Sequence, residues 1–315
     1  MVLNTNLTMN MKKKKVTNSK LTLLIDGENI LHQSFHKFER FKSTDGKPSG
    51  AIFGFFKSLH MYITRFNPDD VYISFDNGRS KYRTELLPEY KGHRKSRNIA
   101  VDYESLIKQK QQIMVFLKYL RIKYIFDKKK TTNYEGDDFL AYLILKNKHT
   151  RNKYVLISSD KDFNQLLSGN KVKIYNPRKE TLIYESNCKG IFGYSGQETV
   201  DYLSMVGDTS DDIKGFNGIG PVKARKILDD YGSISSWFKQ CEKERAKYQD
   251  TWDRNNKMID LSKFIEEHPL DSIPVKNYKS NELKVDKIKE FCIDYSFSSF
   301  MTKDFIKPFV ELSNK

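Results

Sequence analysis

Short apolar runs that end on an acid recur along the chain. Leu21-Thr-Leu-Leu-Ile25 runs into Asp26-Gly27-Glu28-Asn29, Val71–Phe75 into Asp76, and Tyr154–Ile157 into Ser158-Ser-Asp160-Lys-Asp162. Runs of this length with turn-forming residues behind them predict buried strands. Between the first two lies Ala51–Phe66, where Ile52, Phe55, Phe56, Leu59, Tyr62, Ile63 and Phe66 recur at helical spacing and predict a core-facing helix. Ile99–Leu120 is a second amphipathic run, carrying Leu106, Ile107, Ile113, Met114, Leu117 and Leu120. Tyr124–Phe126 and Val172–Tyr175 read as further strands, Phe139–Leu145 as a helix, and Thr181–Tyr184 as a sheet edge. Strand, helix and strand in repetition predict an α/β domain with a mostly parallel sheet. Ligands of such sheets collect at the carboxyl ends of the strands. From Thr199 onward the pattern is helical, and the run Leu283–Ile293 is assigned to packing.

The strand-ending acids are the candidate chemistry. Two carboxylates one residue apart, Asp160 and Asp162, suit a hard cation such as Mg²⁺, which takes oxygen ligands. The competing reading is a helix cap at Asp160, opening a helix over Asp162–Leu167, beside a solvated charge. Glu135-Gly-Asp137-Asp138 opens another helix, and acids there favour the helix dipole. Three so close together also repel one another unless a cation sits among them, and Glu135 and Asp138 share one helix face.

Charge widens the picture. The 315 residues are enough for a substantial core and two domains. A net charge of +15 favours a polyanionic partner, nucleic acid or an anionic membrane surface. Basic residues gather in Lys81–Lys95, broken by Pro88 and Gly92, and in the Lys128–Lys130 loop. Gly218-Ile-Gly220-Pro221 feeds a helix carrying Lys223, Arg225 and Lys226. It reads as an ordinary helix start or as a helix-hairpin-helix whose free backbone N–H groups face a phosphate. The latter binds by shape and charge and reads no base edges. No apolar run reaches the roughly 18 residues of a membrane span. Lys12–Lys15 ahead of Leu21–Ile25 mimics a secretion signal, but the apolar part is short and lacks a cleavage site. Residues 1–19 are therefore expected to form a disordered basic tail. Cys188, Cys241 and Cys292 lack metal or disulfide spacing and suit a reducing cytoplasm. The six histidines form no ligand cluster.

Six stretches taken in order carry a resemblance. They are Leu-Ile-Asp26-Gly-Glu-Asn, Phe-Asp76-Asn, Leu-Pro-Glu-Tyr90-Lys91-Gly-His-Arg94, Tyr-Glu135-Gly-Asp137-Asp138, Ser-Ser-Asp160-Lys-Asp162, and Gly-Asp208-Thr-Ser-Asp211-Asp212 leading into Gly218-Ile-Gly220. Together they resemble the 5′-nuclease (flap endonuclease) family over residues 20–300. The likeness is strongest to its bacteriophage members and to the 5′-nuclease domain of bacterial DNA polymerase I. The resemblance implies a PIN-like (resolvase-like) α/β domain over 20–195 with a helical arch at about 91–120. A helix-hairpin-helix and helical region follows over 196–315. It implies two Mg²⁺ ions, with Mn²⁺ as a substitute, and K⁺ at the hairpin turn. Glu135, Asp137, Asp160 and Asp162 match the ligands of one metal, and Asp208 and Asp211 those of the second. Asp26, Asp76 and Asp138 match carboxylates that hold metal-associated water. Lys91 and Arg94 match contacts to the scissile phosphate, Arg83 a weaker one, and Tyr90 a residue stacking on a terminal base. Gly218, Gly220, Lys223, Arg225 and Lys226 match the duplex-gripping hairpin.

The function so implied is a 5′-3′ exonuclease and structure-specific flap endonuclease in DNA replication or repair. It would act on DNA with 5′ flaps or ends, and on RNA primers in RNA–DNA duplex, as a monomer in the cytoplasm of a cell or phage host. Asp212 stands where the family usually has Asn. The basic tail precedes the family's start, and the chain reads as a stand-alone nuclease without a polymerase domain. The alternatives are a PIN-type endoribonuclease, a non-catalytic structure-specific DNA-binding protein, and a membrane-surface protein drawn by charge. The hairpin and Asp208/Asp211 speak against the first, the complete acid set against the second, and the placement of the basic residues against the third.

Overall fold

A computed structural model describes residues 19–92, 102–278 and 282–315. Five strands run parallel: β1 (Leu21–Asp26), β2 (Asp70–Ser74), β3 (Lys123–Ile125), β4 (Lys153–Ile157) and β5 (Val172–Asn176). β6 (Thr181–Ile183) pairs antiparallel with β5. A separate two-stranded ribbon joins β7 (Gly207–Asp208) to β8 (Ile213–Lys214). β9 (Val275–Lys276) returns antiparallel to β3, giving the seven-stranded order β6-β5-β4-β1-β2-β3-β9. The register sets Asp26 opposite Ser74 and Ile25 opposite Ile157. Asp26, Asp76 and Ser158 therefore emerge at one carboxyl edge.

Side chains of a strand alternate between faces, and each face has its own cover. Leu23, Ile25, Val71, Ile73, Val155 and Ile157 pack on one side with α1 (Gly27–Lys37), α2 (Gly50–Phe66) and α4 (Tyr103–Tyr119). Leu24, Leu156 and Ile174 pack on the other with α5 (Gly136–Lys146), α6 (Glu185–Phe192) and a 3₁₀ turn at Asp162–Leu166. The short helix α3 (Lys81–Leu86) precedes Pro88. A third cluster is built from α7 (Thr199–Val206), α8 (Pro221–Tyr231), α9 (Ile234–Gln240) and α10 (Glu242–Ile259), and it takes in Leu87 and Tyr90. α11 (Leu261–Glu267) then runs back along α5.

Two expectations change. Residues 196–315 are not one helical region: β9 joins the sheet, and α12 (Val285–Asp294) and α13 (Lys303–Ser313) pack in the core of its first face. Phe291 stacks on Phe116 with ring centroids 4.4 Å apart, which fixes α12 on α4. The arch cannot extend over 91–120 either. Ile113, Phe116 and Leu117 of α4 are buried against α2 and α12, because the apolar stripe of this run is a core stripe. The expected disordered tail, apart from Ser19, and residues 93–101 with Arg94 lie outside the described residues.

Candidate active site

The carboxyl edge of the sheet gathers acids of two kinds. The first kind is fully partnered. α5 starts at Glu135, whose N–H is capped by the Asp138 side chain, while the Asp138 N–H is met by Asp137 Oδ1 at 2.8 Å. Asp138 accepts two parallel bonds from Arg83, both at 2.7 Å, and one from the Glu135 N–H at 2.8 Å. Arg83 is 2% exposed. Its Nε donates to the Met258 carbonyl at 3.2 Å and its guanidinium lies over the Phe264 ring. Glu135 Oε2 accepts from Tyr90 Oη at 2.7 Å and Lys91 Nζ at 2.8 Å, while Oε1 accepts from the Ser80 N–H at 2.9 Å. Burial works to raise Glu135, but Lys91, Arg83 and Tyr90 hold its pKa down at about 2. Burial also works against the Lys91 charge, yet Glu135 and Asp211 keep its pKa well above the usual lysine range.

The second kind is crowded and short of partners. Asp162 Oδ1 is buried with no hydrogen-bond partner. Burial, then Asp160, Asp208 and Asp211, push the Asp162 pKa well up. Asp160 Oδ1 accepts from the Asp162 N–H at 2.9 Å. Its pKa rises to about 7 through lost solvation in the cleft and repulsion from Asp211, Asp137 and Asp26, although the residue as a whole still faces solvent. Asp26 caps α1 through the Asn29 N–H at 3.0 Å and accepts from Ser158 Oγ at 2.8 Å; burial still lifts its pKa to about 6. Asp76 is raised well above the carboxylate range by burial, against the pull of Lys91. Its Oδ1 accepts the Gly136 N–H at 2.5 Å, and a β-carbon on Gly136 would sit 2.8 Å from that oxygen. Glycine there lets α5 start against the β2 acid. Asp208 follows α7, its Oδ1 held by Ser210 N and Oγ at 2.8 and 2.7 Å.

Several roles change with this geometry. Arg83 is sealed inside and cannot reach a phosphate; it positions Asp138 and Glu135. Asp138 is 0% exposed and its oxygens are taken, so it does not hold metal-associated water. Tyr90 is 2% exposed and directs its hydroxyl at Glu135, so no base stacks on it. Lys91, at φ +51°, lies 3.8 Å from Asp211 as well as on Glu135, bridging the two kinds of acid.

Residues that sequence reasoning passed over also take part. Glu28 accepts from the Asp76 N–H at 3.2 Å and from Lys110 of α4, which donates to the Asp76 carbonyl at 2.7 Å. Lys161 lies 3.4 Å from Asp208. Glu28 was visible in the Asp-Gly-Glu-Asn run; a single lysine on an amphipathic helix gives no signal. Among the described residues, no three acids already close on one ion. The donor set nonetheless fits a hard divalent cation: it offers carboxylate oxygens alone, and one of them is buried without a partner.

The hairpin lies beyond β7 and β8. Gly218 has φ +80°, and Gly220 caps α8 with Pro221 in the first turn. Nothing lies within 4 Å of a β-carbon at either glycine, so the turn is open to a ligand. Ala224 is buried under it; Lys223 and Lys226 are exposed and Arg225 is half-buried.

A parallel sheet ending in a cleft of acids, with a glycine-bracketed hairpin on one flank, defines a resolvase-like phosphodiester hydrolase. Residues 21–193 match the 5′-3′ exonuclease N-terminal resolvase-like domain, and residues 194–289 the 5′-3′ exonuclease C-terminal SAM fold. The chain belongs to the 5′-3′ exonuclease family, hydrolases acting on DNA. It is 31% identical to a 5′-3′ exonuclease of Aquifex aeolicus over 86% of this chain and 92% of that protein. It is 27% identical to a DNA polymerase I of Caldicellulosiruptor bescii over 89% of this chain, but spans only 33% of that protein. The fold is similar to a bacteriophage T5 flap endonuclease solved as a complex with DNA and metal ions. There the TM-score is 0.66 at 18% identity, covering 94% of this chain and 100% of the other. No helix of the described residues is long and apolar enough to cross a membrane.

Proposed function

We propose that the chain is a Mg²⁺-dependent 5′-3′ exonuclease that also cuts 5′ flaps at their junction with duplex, acting as a monomer. The buried, unpartnered Oδ1 of Asp162, in a cleft with Asp160, Asp208 and Asp211, carries the reading. Glu135, Asp137, Asp160 and Asp162 would hold one ion and Asp208 and Asp211 the second, with Asp26 and Asp76 ordering water beside them. When bound, the ions supply Lewis acidity for water and balance charge on the leaving oxygen. Lys91, anchored on Glu135, brings positive charge to the cleft floor, where it stabilises a phosphate. Arg83 and Tyr90 hold Glu135 in place, and their burial keeps that geometry stiff. The Gly218–Gly220 turn grips the duplex backbone through its N–H groups, with a potassium ion as an additional bridge, and Lys223 and Lys226 add salt-dependent attraction.

The test is cleavage of a 5′-labelled flap duplex beside the matching single strand and an RNA hairpin, with Mg²⁺ and with chelator. Metal-dependent cutting at the flap junction supports the reading. Tight flap binding without cutting under any divalent metal would mark a non-catalytic DNA-binding protein. Cutting of the RNA alone would mark an endoribonuclease.

A further inference from the structure

One basic element is not used by the site described above. The turn Asp127-Lys128-Lys129-Lys130 follows β3, next to β2, the strand that leads into Asp76. A run of lysines is ordinarily a solvated face, but this one is built. Asp127 is buried and accepts from Thr131 Oγ1 at 3.1 Å, Thr132 N at 2.8 Å and Thr132 Oγ1 at 3.0 Å. Lys130 N donates to the Asp127 carbonyl at 3.0 Å, and Lys130 is held at φ +52°. Asn77, the residue after Asp76, donates from Nδ2 to the carbonyls of Asp127 and Lys128 at 2.8 and 3.1 Å. The Lys130 ammonium lies over Gly78, 2.9 Å from where a β-carbon would sit. All three lysines are exposed, and no carboxylate of the described residues forms an ion pair with them.

The element is therefore a cationic turn fastened to the loop of a cleft acid. It stands on the β2–β3 side of the sheet, whereas the 3₁₀ turn after β4 packs on α7, which leads toward the hairpin. We infer that Lys128, Lys129 and Lys130 form a second DNA-backbone contact, holding the phosphates of the substrate arm that leaves the cleft on the side away from the hairpin. This rests on the nuclease reading above and adds a binding site to it. The lysines contact phosphates only, so the site is indifferent to sequence and sensitive to salt.

The test uses the full chain and the variant Lys128→Gln/Lys129→Gln/Lys130→Gln, with Asn77→Ala as a second variant that keeps the charges and cuts the tether. Binding in chelator is titrated against salt for a 5′-flap duplex and for DNAs lacking either the flap strand or the upstream duplex. On the full flap, the triple variant is expected to bind at least about tenfold more weakly, with a salt slope lower by about one unit per lysine. The gap between variant and wild type should close on one truncated DNA, the one that lacks the contacted arm. Asn77→Ala should show a smaller loss with the same arm dependence. Equal binding by wild type and both variants, or an equal loss on every DNA, would overturn the inference. If the wild-type chain neither binds nor cuts any of these DNAs, the nuclease reading itself falls.

Discussion

The two banks of the cleft use the same residue types to opposite ends. On one bank, Glu135 and Asp138 spend their oxygens on Arg83, Tyr90, Lys91 and backbone N–H groups. On the other, Asp160 and Asp162 face further acids, and one carboxylate oxygen has no partner. A buried acid that is paired has its burial cost offset by its partners, and removing one of them costs much. A crowded acid without a partner costs stability as it stands and awaits a cation from outside. The first bank is therefore mainly scaffold, with Glu135 its one proposed metal ligand, and the second is chemistry; a carboxylate's sequence context alone does not tell the two apart.

The comparison breaks or holds most sharply at Asp160→Asn and Asp162→Asn. Each should lower Mg²⁺-dependent cleavage at least about a thousandfold, roughly 4 kcal/mol of transition-state stabilisation. Neither should lower the melting temperature in chelator, since each relieves repulsion. A clear fall in chelator would place these acids in the scaffold. On the opposite bank, Arg83→Met should cost about 3–5 kcal/mol in a denaturant titration, because it strands buried Asp138 without its cation. Arg83→Lys should restore little, since one ammonium cannot replace two parallel guanidinium bonds.

Mg²⁺ itself gives the next largest effect. At about a hundred times its dissociation constant it should stabilise the wild-type chain by about 2.7 kcal/mol, read as a rise in melting temperature over the chelator state. Asp162→Asn should lose most of that rise. Tyr90→Phe is smaller. It leaves the ring and removes one bond to buried Glu135, for about 1–2 kcal/mol by chemical denaturation. Were Tyr90 a base-stacking residue, phenylalanine would serve as well, and stability would not move.

The acids of both banks were legible in the sequence; the pairing that holds the first bank was not. Asp26, Asp76, Asp160 and Asp162 stand where apolar strand runs stop, a local signal that pattern alone exposes. Pairing is not local. Arg83 meets Asp138 across 55 residues of chain, and Tyr90 meets Glu135 across 45, so nothing local opposed the DNA contacts that the resemblance implied for them. The return of the chain to the sheet was hidden for a related reason. β9 is two residues long, too short to show alternation. The helical run Leu283–Ile293 was visible, but nothing local says which core it joins. For α4 the signal was present and weighed too little. A stripe through Ile113 and Leu117 is what a core helix shows, and those residues are buried in the first face's core.

The smallest predicted effect comes from the hairpin, which serves as a control for both banks. Gly218 holds φ +80° with open space around its α-carbon. Gly218→Ala therefore creates no clash and pays only for a left-handed backbone, about 1 kcal/mol. Its melting curve should shift slightly and equally in Mg²⁺ and in chelator, because no carboxylate is touched. Duplex affinity should fall severalfold at low salt, since the N–H groups that face the backbone are carried by that turn. Cleavage of a short single strand, which needs the acids but not the duplex grip, should hardly change. If instead the Mg²⁺-dependent shift in melting temperature disappeared, hairpin and acid cleft would be one cooperative site. The division between a scaffold bank, a metal bank and a separate grip would then have to be redrawn.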